Sequence, residues 1–139
     1  MVAHFNGAKV ALFIGDRLLI TLRDDRPDIP FPNMWDFPGG GREGEETPFE
    51  TMARETFEEV ALVVPRDAVI WEKRYCWTST AAEPSWFFVA RLPAVAENDI
   101  VLGNEGQDWQ LVSDARFLDM PDAIPSLISR LRDWIAVAG

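Results

Sequence analysis

Two runs of β-branched and aliphatic residues, AKVALFI (8–14) and RLLITLR (17–23), flank the dipeptide Gly15-Asp16. A Gly-Asp pair suits a tight hairpin turn, so the chain is predicted to open on a β-hairpin. The next stretch, DDRPDIPFPNM (24–34), holds three prolines among turn formers and reads as an irregular loop, a candidate lid or rim, leading to WDFPGG. The period then changes. Thr47-Pro48-Phe49-Glu50 is a helix start, with Thr47 as cap, Pro48 where no amide is wasted and Glu50 closing a capping box. A helix is predicted from about Pro48 to Val60. Phe49, Met52, Ala53, Phe57 and Val60 recur at three- and four-residue spacing and should form its buried stripe. Glu55, Glu58 and Glu59 share a different face, and Arg54 lies four residues from both Glu50 and Glu58 and can pair with either.

Further on, AVIWEKRYCW (68–77) and SWFFVARL (85–92) read as strands joined by a polar loop, and DWQLVS (108–113) as another short strand. Ile124, Leu127, Ile128, Leu131 and Ile135 mark a closing amphipathic helix. Strands mixed with two helices predict an α/β domain, a mixed sheet with helices packed against it, over residues 1–139.

Composition narrows the partners. The 139 residues are 47% hydrophobic and 26% charged, ordinary for a chain that folds around one core. A formal net charge of −10 argues against a nucleic-acid polymer or an anionic membrane as partner, because such surfaces are bound through Lys and Arg. A phosphate-bearing small molecule would need a cation as intermediary. The single cysteine, Cys76, offers neither an internal disulfide nor a thiol zinc site, and no run approaches the ~18 apolar residues of a membrane span. A reducing, cytoplasmic setting is expected. His4 reads as a surface residue and Cys76 as a half-buried strand residue.

The stretch GGGREGEETPFETMARETFEEVAL (39–62) carries seven glutamates. A solvated acidic face is the plain explanation for such a run. Yet like charges at i, i+4 destabilise a helix by a few tenths of a kcal/mol, and one arginine cannot neutralise the set. A hard divalent cation can. Magnesium prefers carboxylate oxygen and keeps water and phosphate oxygens in its shell, which suits glutamates with no histidine or cysteine among them.

The spacing favours the second explanation. Residues 40–62 resemble the Nudix box, G-x5-E-x7-R-E-U-x-E-E-x-G-U with U aliphatic. Gly40, Glu46, Arg54-Glu55, Glu58-Glu59 and Leu62 fall in register; Thr56 stands where an aliphatic residue is usual, and Ala61 where glycine is usual. Alanine resists the left-handed conformation that glycine supplies after a helix, so the helix exit should differ slightly. WDFPGG before the box and GNEGQDWQLVS after the later strands extend the similarity to MutT-type members.

The resemblance implies a Nudix-type α/β/α sandwich and hydrolysis of a nucleoside diphosphate linked to another moiety, with magnesium, or manganese in its place. It makes Glu55, Glu58, Glu59 and Glu105 metal ligands, Arg54 the residue that orients glutamates, and Gly40 and Glu46 supports of the box. The general base is Glu105 or a box glutamate. Phe37, Gly39 and Arg23 become substrate-binding candidates; Trp77, Trp86 and Arg26 are weaker ones, with packing or solvent exposure as the ordinary explanation. The favoured reaction converts a (deoxy)nucleoside triphosphate to a monophosphate and pyrophosphate. Nucleotide-sugar, ADP-ribose or dinucleotide cleavage is the alternative, and a non-catalytic nucleotide-sensing module the reading from another class. A homodimer is compatible with the sequence and undecided by it.

Overall fold

The structure is a computed structural model and describes residues 4–76 and 84–139. Seven strands form one sheet: β1 (Gly7–Ile14), β2 (Arg17–Leu22), β3 (Trp35–Asp36), β4 (Gly39–Gly41), β5 (Val69–Tyr75), β6 (Ser85–Leu92) and β7 (Asp108–Val112). Three α-helices join them: α1 (Pro48–Val60), α2 (Asp114–Leu118) and α3 (Pro125–Ala138). β1 runs parallel to β6 over its whole length, and the other ladders are antiparallel.

The predicted hairpin is present, with Gly15 at φ 64°, but its strands pair only next to the turn, at Phe13↔Leu18 and Ile14↔Arg17. Beyond that point β1 exchanges β2 for β4, and β2 exchanges β1 for β3. Residues 35–41 therefore enter the sheet as a wedge between diverging strands. A glycine is required at the wedge: Gly39 has φ 135°, and a Cβ there would stand 2.2 Å from the Ala8 carbonyl oxygen.

Alternation along the central strands sorts the core into two layers. Val10, Leu12, Ile14, Leu19, Phe88 and Ala90 pack with Met52 and Val60 of α1 on one face. Ala11, Phe13, Leu18, Ile20, Phe87 and Val89 pack with Phe117 of α2 and Leu127 and Leu131 of α3 on the other. The α/β/α sandwich is thus as expected. Among the described residues no helix is long and apolar enough to cross a membrane.

Helix α1 starts as the sequence predicts. Thr47 Oγ1 accepts from the Glu50 amide at 3.2 Å and Glu50 Oε1 accepts from the Thr47 amide at 2.8 Å. Its buried face differs from the predicted stripe. Thr51, Met52, Thr56 and Val60 are the buried members, Phe49 and Ala53 are half-buried, and Phe57 is 54% exposed. Helix rotation against β1 and β4 puts Thr56 at the core position and turns Phe57, about 100° further round, to solvent. Thr56 fills the aliphatic place by its methyl group, and its Oγ1 is buried without a hydrogen-bond partner among the described residues. The exit does not deviate either: Ala61 adopts the left-handed conformation itself, at φ 63°, ψ 20°, and its amide donates to the Phe57 carbonyl at 2.9 Å. Packing of Leu62 and Val64 into the α1-side core holds it there.

Candidate active site

The carboxylates arrive from two places. Helix α1 presents Glu55, Glu58 and Glu59 from its C-terminal half, and the loop after β6 presents Glu105. That loop is fastened to the end of α1, where the Val101 amide donates to the Val60 carbonyl at 3.0 Å and the Gly103 amide to the Glu59 carbonyl at 2.8 Å. These bonds satisfy carbonyls that every helix end leaves open, and they bring Glu105 beside the helix. Glu55, Glu58, Glu59, Glu105 and Asn104 line one cavity of about 370 Å³.

Arg54 organises the helix side of this cavity. Its guanidinium donates to Glu46 Oε2 at 2.7 Å and Oε1 at 3.1 Å, to Glu55 Oε1 at 2.9 Å, to Glu58 Oε2 at 3.2 Å and to the Gly41 carbonyl at 2.9 Å. It also pairs with Glu43 at 2.9 Å. The sequence allowed a pair with Glu50, but the Glu50 side chain is engaged in the capping box. Glu46 further accepts from the Glu43 amide and the Thr51 hydroxyl, and the Arg54 guanidinium, ahead of its other contacts, holds its carboxyl down at about 2. The same contacts push the Arg54 guanidinium above its ordinary range, the Glu46 bond first among them.

Glu59 sits deeper. Its Oε1 accepts from the Gly39 amide at 2.8 Å. Burial pushes its carboxyl up to about 7, against the opposing pull of the Lys9 ammonium and the Gly39 amide. Gly40 leaves room for Glu55: a Cβ there would lie 2.5 Å from Glu55 Oε2. Gly39, a substrate-binding candidate in the sequence, is buried with its amide given to Glu59. Phe37 is also corrected. It is fully buried, stacked on Phe117 at 4.6 Å between ring centroids, and belongs to the core.

The donor set is all carboxylate oxygen, which fits a hard divalent cation such as magnesium or manganese. In the present side-chain positions, among the described residues, no three acidic, histidine or cysteine side chains converge as a metal cluster. Arg54 draws Glu55 and Glu58 toward itself, and the Gly39 amide draws Glu59 toward the wedge.

Two more cavities continue the groove. One, of about 150 Å³, shares Glu59 and Glu105 with the acidic cavity and adds Arg23, Arg26 and Asp36. The other, of about 450 Å³, shares Arg23 and Asp36 with the second and reaches Lys9, Phe31, Ile124, Leu127 and Arg130. Asp36 is the joint between them. Its buried Oδ2 accepts from Lys9 Nζ at 2.9 Å and from Arg23 Nη1 at 3.0 Å. Residues 24–34 form the rim as expected, tied down by the Gly106 amide on Asp24 Oδ1 and by Gln107 Nε2 on the Arg23 carbonyl and Asn33 Oδ1.

Arg23 thus faces the groove, whereas Arg26 lines it while paired with Asp28 at 2.6 Å. Trp86 borders the large cavity, but its ring lies beside Phe88 in the α1-side core. Trp77 lies outside the described residues. His4 is exposed; Cys76 is exposed just beyond β5, not half-buried within it. Lys9, Asp36 and Arg130 were missed. Lys9 carried a signal, a lysine inside an otherwise apolar strand, but its counterion is 27 residues away.

The sequence model of the NUDIX domain matches residues 4–137. No curated relative matches the chain. Among solved structures, the MutT protein from Methanosarcina mazei Go1 is similar over 99% of this chain and 96% of its own, with a TM-score of 0.75 and 18% identity. A C. elegans Ap4A hydrolase in a binary complex is similar over 95% and 97% respectively, with a TM-score of 0.70 and 19% identity. A bifunctional NMN adenylyltransferase/ADP ribose pyrophosphatase from Francisella tularensis, complexed with AMP and a manganese ion, matches over 81% of this chain and 35% of its own, with a TM-score of 0.64 and 21% identity.

Proposed function

We propose, for a chain that belongs to the Nudix family and is a pyrophosphohydrolase, that its substrate is a nucleoside triphosphate, cleaved to a nucleoside monophosphate and pyrophosphate. One observation carries this reading. Three cavities that share lining residues lead from one lined by four glutamates to one lined by Lys9 and Arg23, in a protein of net charge −10. Clustered cations in so acidic a chain suit an anionic ligand, and clustered carboxylates suit the cation that accompanies it.

Glu55, Glu58 and Glu59 would hold magnesium, or manganese in its place. Held there, such a cation would supply positive charge against the pyrophosphate and acidify a water beside it. The chain's own residues do the rest. Arg54 holds Glu55 and Glu58 by charge-assisted bonds while no cation is present. Arg23 and Lys9, anchored on Asp36, offer positive charge to phosphate oxygens. Glu105 is exposed and no hydrogen bond among the described residues engages its carboxylate, so it takes the proton of the attacking water. Water oxygen adds to one phosphorus while the bridging P–O bond breaks, and the leaving phosphate departs with the bridging oxygen.

The neighbours' names favour a second reading, a dinucleotide or ADP-ribose as substrate, which would use the same carboxylates. The test is pyrophosphate and phosphate release from nucleoside triphosphates, nucleotide sugars and dinucleotides, with magnesium and then with chelator. Magnesium-dependent pyrophosphate from triphosphates is expected. Turnover confined to dinucleotides or nucleotide sugars, or turnover indifferent to chelator, would overturn the reading.

A further inference from the structure

The far wall of the large cavity holds a guanidinium that the reaction does not use. Arg130 comes from the middle of α3 and is half-buried. Its Nη2 donates to Ser85 Oγ at 3.1 Å, and its Cζ lies 4.5 Å from the Tyr75 ring centroid. The nearby acid acts on it through space without bonding to it: Asp133 Oδ2 accepts from the Tyr75 hydroxyl at 2.7 Å, and among the described residues Arg130 makes no ion pair. A guanidinium has five N–H donors and no acceptor. With one donor given to Ser85 and one face laid on Tyr75, it is a fixed plane with donors to spare.

The rest of the cavity combines an apolar wall with cationic donors, and Asn6, Ser85 and Ser126 add neutral polar groups. Ile124 and Leu127 supply an apolar wall, and Phe31, 47% exposed, stands at the mouth as a flat surface. Lys9 and Arg23 are donors, and Asp36, the one acid of the lining, is already bonded to both. The volume, about 450 Å³, falls in the ~300–1,000 Å³ range of small-molecule sites.

We propose that this cavity receives the base of the nucleotide and that Arg130 selects bases bearing a keto oxygen at the buried edge, guanine and thymine or uracil, over the amino bases adenine and cytosine. The inference rests on the nucleotide reading above. A keto oxygen accepts from the guanidinium, whereas an exocyclic amino group would set donor against donor and leave both unsatisfied. Phe31 contributes stacking that every base enjoys, so it adds affinity without choice.

The test is kcat/KM for dGTP, dTTP, dATP and dCTP with the intact protein, Arg130→Gln and Phe31→Ala, alongside calorimetric binding of GMP and AMP. Wild type should favour the keto nucleotides by about 10- to 100-fold, the discrimination of a good guanidinium–base pair. Arg130→Gln presents an acceptor as well as a donor. It should lower kcat/KM for dGTP and dTTP by about that factor and raise that for dATP, bringing the ratio below about threefold. Phe31→Ala should raise KM about tenfold for all four alike.

Equal loss on every base in Arg130→Gln, or a wild type without keto preference, overturns the inference while leaving the hydrolase reading intact. Absence of triphosphate turnover with GMP still bound more tightly than AMP overturns the reaction and supports the base selection. Should Arg130→Gln fail to fold, the wild-type GMP-to-AMP ratio decides.

Discussion

The two ends of the groove are built on opposite plans. The acidic cavity takes three of its four glutamates from one helix within five residues, and a single arginine holds their supports. The cationic cavity takes its lining from residues 6–9, 23, 30–31, 36, 40–41, 85–86 and the stretch 124–130. The first is local chemistry repeated on a helix face; the second is assembled by the fold. This contrast predicts a division of labour, turnover at the acidic end and binding choice at the other. Substitutions at one end should leave the other's readout in place.

The largest expected effect is at the acidic end. Glu58 is 55% exposed at its side chain, so Glu58→Gln replaces an anionic ligand by a weaker neutral oxygen and removes a repulsive charge without opening the core. Magnesium-dependent kcat should fall about a hundredfold or more, with the melting temperature within a few degrees of wild type and GMP binding retained. Full activity in this variant would remove the acidic cavity from the reaction.

Glu46→Gln asks whether the arginine hub is structural support. It weakens two charge-assisted bonds to Arg54, and a stability loss of about 2 kcal/mol is expected at neutral pH by denaturant unfolding. The Glu46 carboxyl is lowered from the ordinary 4.5 to about 2 in the folded protein, so its contribution is present above pH 4.5 and is lost as pH falls toward 2. The gap between wild type and variant should therefore narrow over that window. A gap independent of pH would mean that ionisation of Glu46 is not what holds Arg54.

The smallest effect tests the join between helix and loop. Ala61 holds a left-handed backbone at φ 63°, which costs an alanine about 1 kcal/mol relative to glycine. Ala61→Gly should stabilise the protein by about that amount, read as a raised denaturant midpoint, and leave KM and base preference unchanged. A loss of turnover instead would show that this strain positions Glu105, which the loop from Val101 to Gly103 fastens to the same helix end.

The amino-acid sequence alone determined the elements whose signals are local. The hairpin turn at Gly15-Asp16, the capping box at Thr47 and Glu50, the closing helix and the register of Glu46, Arg54, Glu55, Glu58 and Glu59 each lie within a dozen or so residues, where backbone geometry fixes which side chains meet. It did not decide rotation or burial. Phe57 and Thr56 are neighbours on one helix, and only packing against β1 and β4 put the threonine in the core and the phenylalanine in solvent. Phe37 lies among groove residues in the chain yet is fully buried against Phe117 in the core on the α2 and α3 side, which only the placement of α2 decides. Lys9, Asp36 and Arg130 join the groove through contacts 27 to 45 residues apart in the chain. Pairings at that separation depend on strand order and helix placement, which no local period encodes, and so they belong to the tertiary structure.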